Sequence, residues 1–156
     1  MSGPEVLATE DPRLVLDLAE DLLTRDPVAN NVMLTLLHAR VAEPEPGRYW
    51  VVDPASVAGV VFHSPTGFPA LVSPMAAGLV DAAVDVIARA QIALPGVNGD
   101  AATAARFAGA WTEATKSAAA PERGQRIYEV REVSPPPRSS GAFRGATAED
   151  TALLTE

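Results

Sequence analysis

The chain has 156 residues, 47% of them apolar, which suffices for one ordinary domain, or one domain and a fragment of another, without help from metals or disulfides. Its formal charge of −8 disfavours nonspecific binding to nucleic acid or to an anionic membrane surface. The absence of cysteine excludes a disulfide framework, a thiolate zinc site and a cysteine nucleophile.

Met1-Ser2-Gly3-Pro4-Glu5 has neither a basic n-region nor an apolar h-region, so a cytoplasmic location is expected. Val6-Leu7 is a short apolar pair fit for an edge strand. Asp11-Pro12 then pairs an N-cap with proline at the first helical position, where the missing N–H costs nothing. Leu14, Val15, Leu18 and Leu22 form the apolar stripe of a first helix, with Asp17, Glu20, Asp21 and Thr24 opposite. Asp26-Pro27 repeats the start signal, ending that helix and opening a second whose inner face is Val32, Met33, Leu36 and Leu37.

Residues 42–47 hold two prolines and a glycine and read as a loop. Three short β-rich runs follow at 49–52, 57–63 and 68–72, separated by Asp53-Pro54-Ala55-Ser56 and Pro65-Thr66-Gly67, the pattern of an antiparallel meander. Ser73-Pro74 opens a third helix that buries Leu79, Val80, Ala83, Val84 and Ile87. Within 74–91, Asp81 and Asp85 interrupt the apolar run and exclude a membrane span.

Leu94-Pro95-Gly96-Val97-Asn98-Gly99-Asp100 turns the chain, gives Val97 a place in a very short strand, and opens a fourth helix at Gly99-Asp100. Along 101–116, Ala104, Phe107, Ala108 and Trp111 fall on one side, so Trp111 is expected to be buried against the sheet with Phe107. Residues 125–133 alternate, with Ile127, Glu129, Arg131 and Val133 on one side and Tyr128, Val130 and Glu132 on the other, as in a strand with a partly wet face.

Residues 134–141, Ser134-Pro135-Pro136-Pro137-Arg138-Ser139-Ser140-Gly141, make a Pro/Ser linker. Beyond it, Ala146-Thr147-Ala148-Glu149-Asp150 leading into Leu153-Leu154 echoes Ala8-Thr9-Glu10-Asp11 leading into Leu14. The expected division is therefore a first domain over 1–133, the linker, and the start of a second, truncated domain over 142–156. Residues 142–147 are expected to be extended and packed on a sheet edge or on another chain.

Strand–helix–helix, three-strand meander, helix, short strand, helix, strand is the order of elements that resembles the GNAT superfamily of acetyl-CoA-dependent N-acetyltransferases, and more closely the N-terminal half of its two-domain members. The resemblance rests on Asp26-Pro27-Val28-Ala29-Asn30-Asn31, Trp50-Val51-Val52-Asp53, Val57-Ala58-Gly59-Val60-Val61, Leu94-Pro95-Gly96-Val97-Asn98-Gly99, Phe107-Ala108-Gly109-Ala110-Trp111 and Arg126-Ile127-Tyr128-Glu129-Val130. It implies an α+β fold: a mainly antiparallel sheet flanked by about four helices. In an active domain of this kind an Arg/Gln-x-x-Gly-x-Gly/Ala turn after the fourth strand holds the acetyl-CoA pyrophosphate on backbone N–H groups and a helix N-terminus. Val72-Ser73-Pro74-Met75-Ala76-Ala77-Gly78 occupies that place here, without the basic or amide residue and without paired glycines. Arg123-Gly124-Gln125 does not restore it, because it leads into the expected strand. The resemblance then implies a non-catalytic half that binds no acetyl-CoA itself, and supports a C-terminal GNAT domain or a homodimer partner.

Candidate chemistry outside that loop is sparse. His38 and His63 are the only imidazoles, and neither has a placed partner in sequence. Asp81 and Asp85 lie one helical turn apart and could share a cation, but two carboxylates alone make a poor site and a solvated face explains them better. Gly96-Val97-Asn98-Gly99 precedes a helix as a phosphate cradle would, but Asp100 places a negative charge at its opening. Pro135-Pro136-Pro137-Arg138 reads as a spacer before it reads as a ligand for a proline-recognising module, and Tyr128 matches a family position without needing a function. No nucleophile, base and orienter can be assembled, so no catalytic, cofactor-binding or metal residue is assigned. Two other readings remain open: a divergent, active single-domain N-acetyltransferase, and a protein–protein interaction module that has lost its cofactor.

Overall fold

The computed structural model describes residues 3–137, 141 and 144–151. Five strands, β1 (Val6–Thr9), β2 (Arg48–Val52), β3 (Gly59–His63), β4 (Ala70–Val72) and β5 (Val97–Gly99), form one sheet in chain order. The first four pair antiparallel, with Leu7 opposite Val51, Trp50 opposite Val61 and Phe62 opposite Leu71; β5 runs parallel to β4. Four helices, α1 (Pro12–Thr24), α2 (Asn31–Ala42), α3 (Ala77–Arg89) and α4 (Ala101–Thr115), cover the sheet, so the fold is α+β as expected.

Successive side chains of a strand point to opposite faces, and here both faces are dry. On one, Tyr49, Val51, Val60 and Phe62 pack against Val15, Leu16, Ala19 and Leu23 of α1 and Met33 and Leu37 of α2. On the other, Trp50, Val52, Val61 and Val72 pack against Val80, Ala83, Val84 and Ile87 of α3 and Phe107 of α4. This is why β2 and β3 read as continuous apolar runs, the pattern of strands buried on both sides.

The helix starts follow local chemistry. Asp11 Oδ1 accepts from Arg13 N at 2.9 Å, and Pro12 takes the first helical position. The buried stripe of α1 is Val15, Leu16, Ala19 and Leu23, displaced from the expected one, and Leu14 is 38% exposed. The apolar face of this helix is wider than the sheet covers, so the small Ala19 is fully buried while Leu14 is left at the rim.

α2 begins at Asn31, not at Asp26, because Asp26 builds a turn instead: its Oδ1 accepts from Ala29 N at 3.0 Å. Asn30, buried, closes that turn by donating through Nδ2 to Leu23 O and to Asp26 O, both at 3.1 Å. A carbonyl at the C-terminal end of α1 is thereby satisfied. Val32, expected on the inner face of α2, is 52% exposed, whereas Arg40 joins Met33 and Leu37 inside.

The meander is trimmed relative to its sequence pattern: β3 starts at Gly59, and β4 at Ala70, leaving Phe68 in solvent. The third helix starts at Ala77, after Ser73 and Met75 have turned their N–H groups inward. β5 and the Asp100 cap form as expected, with Asp100 Oδ1 accepting from Ala102 N and Thr103 N at 3.1 Å each. Gly99 is required by proximity: a Cβ there would stand 2.6 Å from the Val72 carbonyl oxygen. α4 ends at Lys116 with φ 58°, in the left-handed region.

The expected strand over 125–133 does not form; those residues carry no helix or strand, and Ile127, Tyr128, Val130 and Val133 stand in solvent. The chain leaving α4 runs beside β5 as residues 117–120, which line a cleft of about 260 Å³ with Leu94, Val97, Phe107 and Trp111. Of the second-domain start, Ala142, Phe143 and residues 152–156 lie outside the described residues. Arg144, Gly145, Ala146 and Thr147 are exposed and pair with no strand of this chain, so the piece does not dock on the domain's own sheet edge, one of the two placements expected. The acidic helix start does form, as a single capped 3-10 turn (Ala148–Asp150) in which Thr147 and Asp150 cap each other reciprocally. The Arg144 guanidinium, at 2.7 Å, holds Asp150 well below the usual carboxylate range.

Phe107 is fully packed and Trp111 only half-buried, their rings stacked at 6.3 Å, so the sequence expectation overstated Trp111. Phe107→Ala should therefore lower stability by about 3–5 kcal/mol and Trp111→Ala by clearly less, read from chemical-denaturation midpoints. Equal losses would show that α4 presents a different face.

Candidate functional site

The loop from β4 into α3 is the place where the family resemblance puts a cofactor site. Ser73 N donates to Val60 O at 3.0 Å, and Ser73 Oγ accepts from Val60 N at 2.9 Å, locking the loop to β3. Pro74 has no N–H to give. Met75 N donates to Thr103 Oγ1 of α4 at 3.4 Å. The end of the Met75 side chain also lies over Gly59, in the space a Cβ there would take. Thus 73–75 offer no outward backbone donor.

What remains is the uncapped start of α3 at Ala76, which opens into a shallow cleft of about 470 Å³ lined by Gly3, Pro4, Asp53, Ala76, Gly78 and Leu79. Asp53, at φ 53° in the β2–β3 turn, accepts from Glu5 N at 3.1 Å and donates its own N–H to Glu5 O at 2.8 Å. A carboxylate therefore lines the cleft where an anion binder needs a cation or a donor.

A buried polar cluster lies elsewhere, around Arg40 and Ser64, neither of which was singled out from the sequence. Arg40 Nε donates to Ser64 Oγ at 2.9 Å, and its Nη1 stands 3.2 Å from Glu45 Oε1. Ser64 Oγ donates in turn to Pro46 O at 3.2 Å. Gly47 lies between this cluster and Tyr49: a Cβ there would be 2.6 Å from both Tyr49 Oη and Ser64 Cβ. Tyr49 Oη is fully buried with no hydrogen-bond partner. The arrangement pins the 42–47 loop to the end of β3. A signal for it existed: Met33, Leu37 and Arg40 follow the i, i+4, i+7 spacing of one helical face.

His63 precedes Ser64 but does not serve it. His63 pairs with Arg48 across the β2–β3 ladder and, two residues from Val61, faces the α3/α4 side; Ser64 is bonded on the α2 side. The adjacency in sequence therefore makes no nucleophile–base pair. Both nitrogens of His63 are buried without a hydrogen-bond partner. Burial holds its pKa below the ordinary 6.5, with the Arg48 charge adding to that and the backbones of Thr66 and Phe68 acting in the opposite direction.

His38 is exposed on the outer face of α2. The Asp81–Asp85 pair is divided between arginines: Arg106 Nε donates to Asp81 Oδ1 at 2.7 Å, joining α4 to α3, and Arg89 Nη2 lies 3.4 Å from Asp85 Oδ2. Asp81 in turn holds the Arg106 guanidinium above its ordinary pKa. Among the described residues no group of three or more His, Asp or Glu side chains is placed to hold a metal. No helix among them is long and apolar enough to cross a membrane. Comparison with protein-family models, with curated proteins and with solved structures returns no match.

His63 supplies a pH test. Because its folded pKa is depressed, the unfolded chain takes up the proton first as pH falls. Its contribution is fully present above the unfolded value, near 6.5, and is lost as pH drops toward the folded value. His63→Leu should flatten the stability profile between about pH 7.5 and about pH 5.5 in urea titrations. An unchanged slope would assign the effect to another group.

Proposed function

We propose that this chain is a non-catalytic, GNAT-like N-terminal domain of a tandem acetyl-CoA-dependent N-acetyltransferase, which supports a catalytic C-terminal half and helps shape its acceptor cleft or the dimer. Up to α4, the order β1-α1-α2-β2-β3-β4-α3-β5-α4 and the parallel β4–β5 pair support that reading; the closing strand that the resemblance implies after α4 is not formed. The observation that carries the non-catalytic part is the inward spending of the 73–75 loop: Ser73 on Val60, Met75 on Thr103, and no N–H at Pro74. A pyrophosphate brought there would meet Asp53 rather than a row of donors. On the same reading the protein works in the cytoplasm.

A second reading, an interaction module without a cofactor, is favoured by the exposed apolar residues of 125–133. The divergent-enzyme reading has no comparable support.

The chain should show no micromolar acetyl-CoA complex by titration calorimetry. A one-to-one micromolar complex would overturn the proposal and point to a divergent active enzyme. A reading frame that continues past Glu156 into an Arg/Gln-x-x-Gly-x-Gly/Ala loop would separate the tandem enzyme from the bare interaction module.

A further inference from the structure

Residues 126–133 combine the composition of a strand with the surroundings of a loop. Ile127, Tyr128, Val130 and Val133 are 55, 80, 72 and 77% exposed. Single exposed apolar side chains are ordinary, but four within seven residues, two on each side of the alternation, leave apolar surface that water does not favour. β-branched and aromatic residues at this spacing suit a pleated, half-buried surface. The one charged contact in the stretch agrees: Arg131 Nε donates to Glu129 Oε2 at 3.0 Å, so residues two apart lie on one side, although the chain bends at Arg131. The segment lacks a neighbouring strand.

Its own sequence supplies one. Set two copies antiparallel with a twofold axis at Val130, and Ile127 of each faces Val133 of the other. Glu129 then faces Arg131, Tyr128 faces Glu132, and Val130 faces itself. Opposite charges meet twice and the branched residues meet each other, the cross-strand pairs that stabilise a ladder. Other registers are worse. An axis at Glu129 or at Arg131 sets that charge against its own copy, and a parallel, in-register pair stacks every like charge. Half-residue shifts set Glu129 against Glu132, or Ile127 against Glu132 while Glu129 loses Arg131. Pro135, Pro136 and Pro137 follow at once and end the ladder, because they have no N–H to extend it.

We propose that residues 126–133 form a homodimer interface, in which two copies of this chain pair as antiparallel strands about Val130, with Glu129 of each opposite Arg131 of the other. The interface is isologous, and pairing straightens the bend at Arg131. None of its side chains belongs to either core, so association leaves the domain as it is. A two-stranded ribbon is weak alone in water, so the dimer depends on concentration. The proposal is independent of acetyl-CoA binding.

Sedimentation equilibrium of the full chain over a concentration series should show a monomer–dimer equilibrium. Glu129→Arg alone, or Arg131→Glu alone, sets like charges opposite twice and should weaken it by roughly tenfold. The combined Glu129→Arg and Arg131→Glu exchange should restore it, and Val130→Lys should abolish it. The absence of native cysteine allows a direct check of register. Antiparallel partners have Cα atoms about 4.5–5.5 Å apart, within disulfide reach. Val130→Cys should therefore link two copies on oxidation, whereas Ile127→Cys, which faces Val133, should not. Circular dichroism of every variant should match that of the wild-type chain diluted to monomer, since the substituted positions lie outside both cores. A wild-type chain that stays monomeric throughout would overturn the proposal, whether the segment docks on its own domain or on a different protein. So would a dimer indifferent to these substitutions, or equal crosslinking at positions 127 and 130.

Discussion

The pairing of β2 with β3 is the constraint on which the rest of the structure depends. Every residue of the two strands except Arg48 is buried, and the ladder between them satisfies the backbone groups they turn to each other, while β1 and β4 take the outer ones. A strand pair with two dry faces cannot stand with one helical layer, so α1 and α2 must cover one side and α3 and α4 the other. Tyr49 and Phe62, with ring centroids 5.2 Å apart, belong to the first core; Trp50 and Val61, one residue along, belong to the second. A one-residue slip between β2 and β3 would exchange both cores at once. Register is therefore fixed by volume on two sides, not by a turn.

The same constraint explains what the sequence revealed. Helix and strand identities from residue 6 to 115 followed from periodicity because each element has a face in one of the two cores. Boundaries and rotations were less legible. α1 has apolar residues on more than one row, and only contact with the sheet chooses Val15, Ala19 and Leu23 over Leu14. Asp26-Pro27 carries the same local signal as Asp11-Pro12, yet one opens a helix and the other a turn. The difference lies in Asn30, whose side chain reaches back to the end of α1. Local propensity cannot see that bond.

The polar interior was the least legible part. Arg40 and Ser64 are distant in sequence, and their hydrogen bond exists only because α2 crosses the end of β3. His63 and Ser64 are neighbours in sequence and look like a pair, but strand alternation sends them to opposite faces. The cofactor loop was more legible. Its missing glycines and its proline could be read directly, and the structure adds where the remaining donors go. Ser73 and Met75 turn theirs toward β3 and α4, so this loop works as a clasp between sheet and helices.

Residues 125–133 show what a period-two pattern does and does not specify. Alternation fixes which side chains share a face once a strand exists, but a strand exists only where a ladder accepts it. β5 offers only three residues, too short an edge to hold the nine of 125–133. The second face of alternation in β2 and β3 is satisfied within the chain; in 125–133 both faces and both edges are left over. Burying them costs the ordering of about eight residues of loop, which no contact inside this domain offsets. The pattern is therefore a statement about association: its apolar residues and paired charges acquire a structural role only with a second strand beside them.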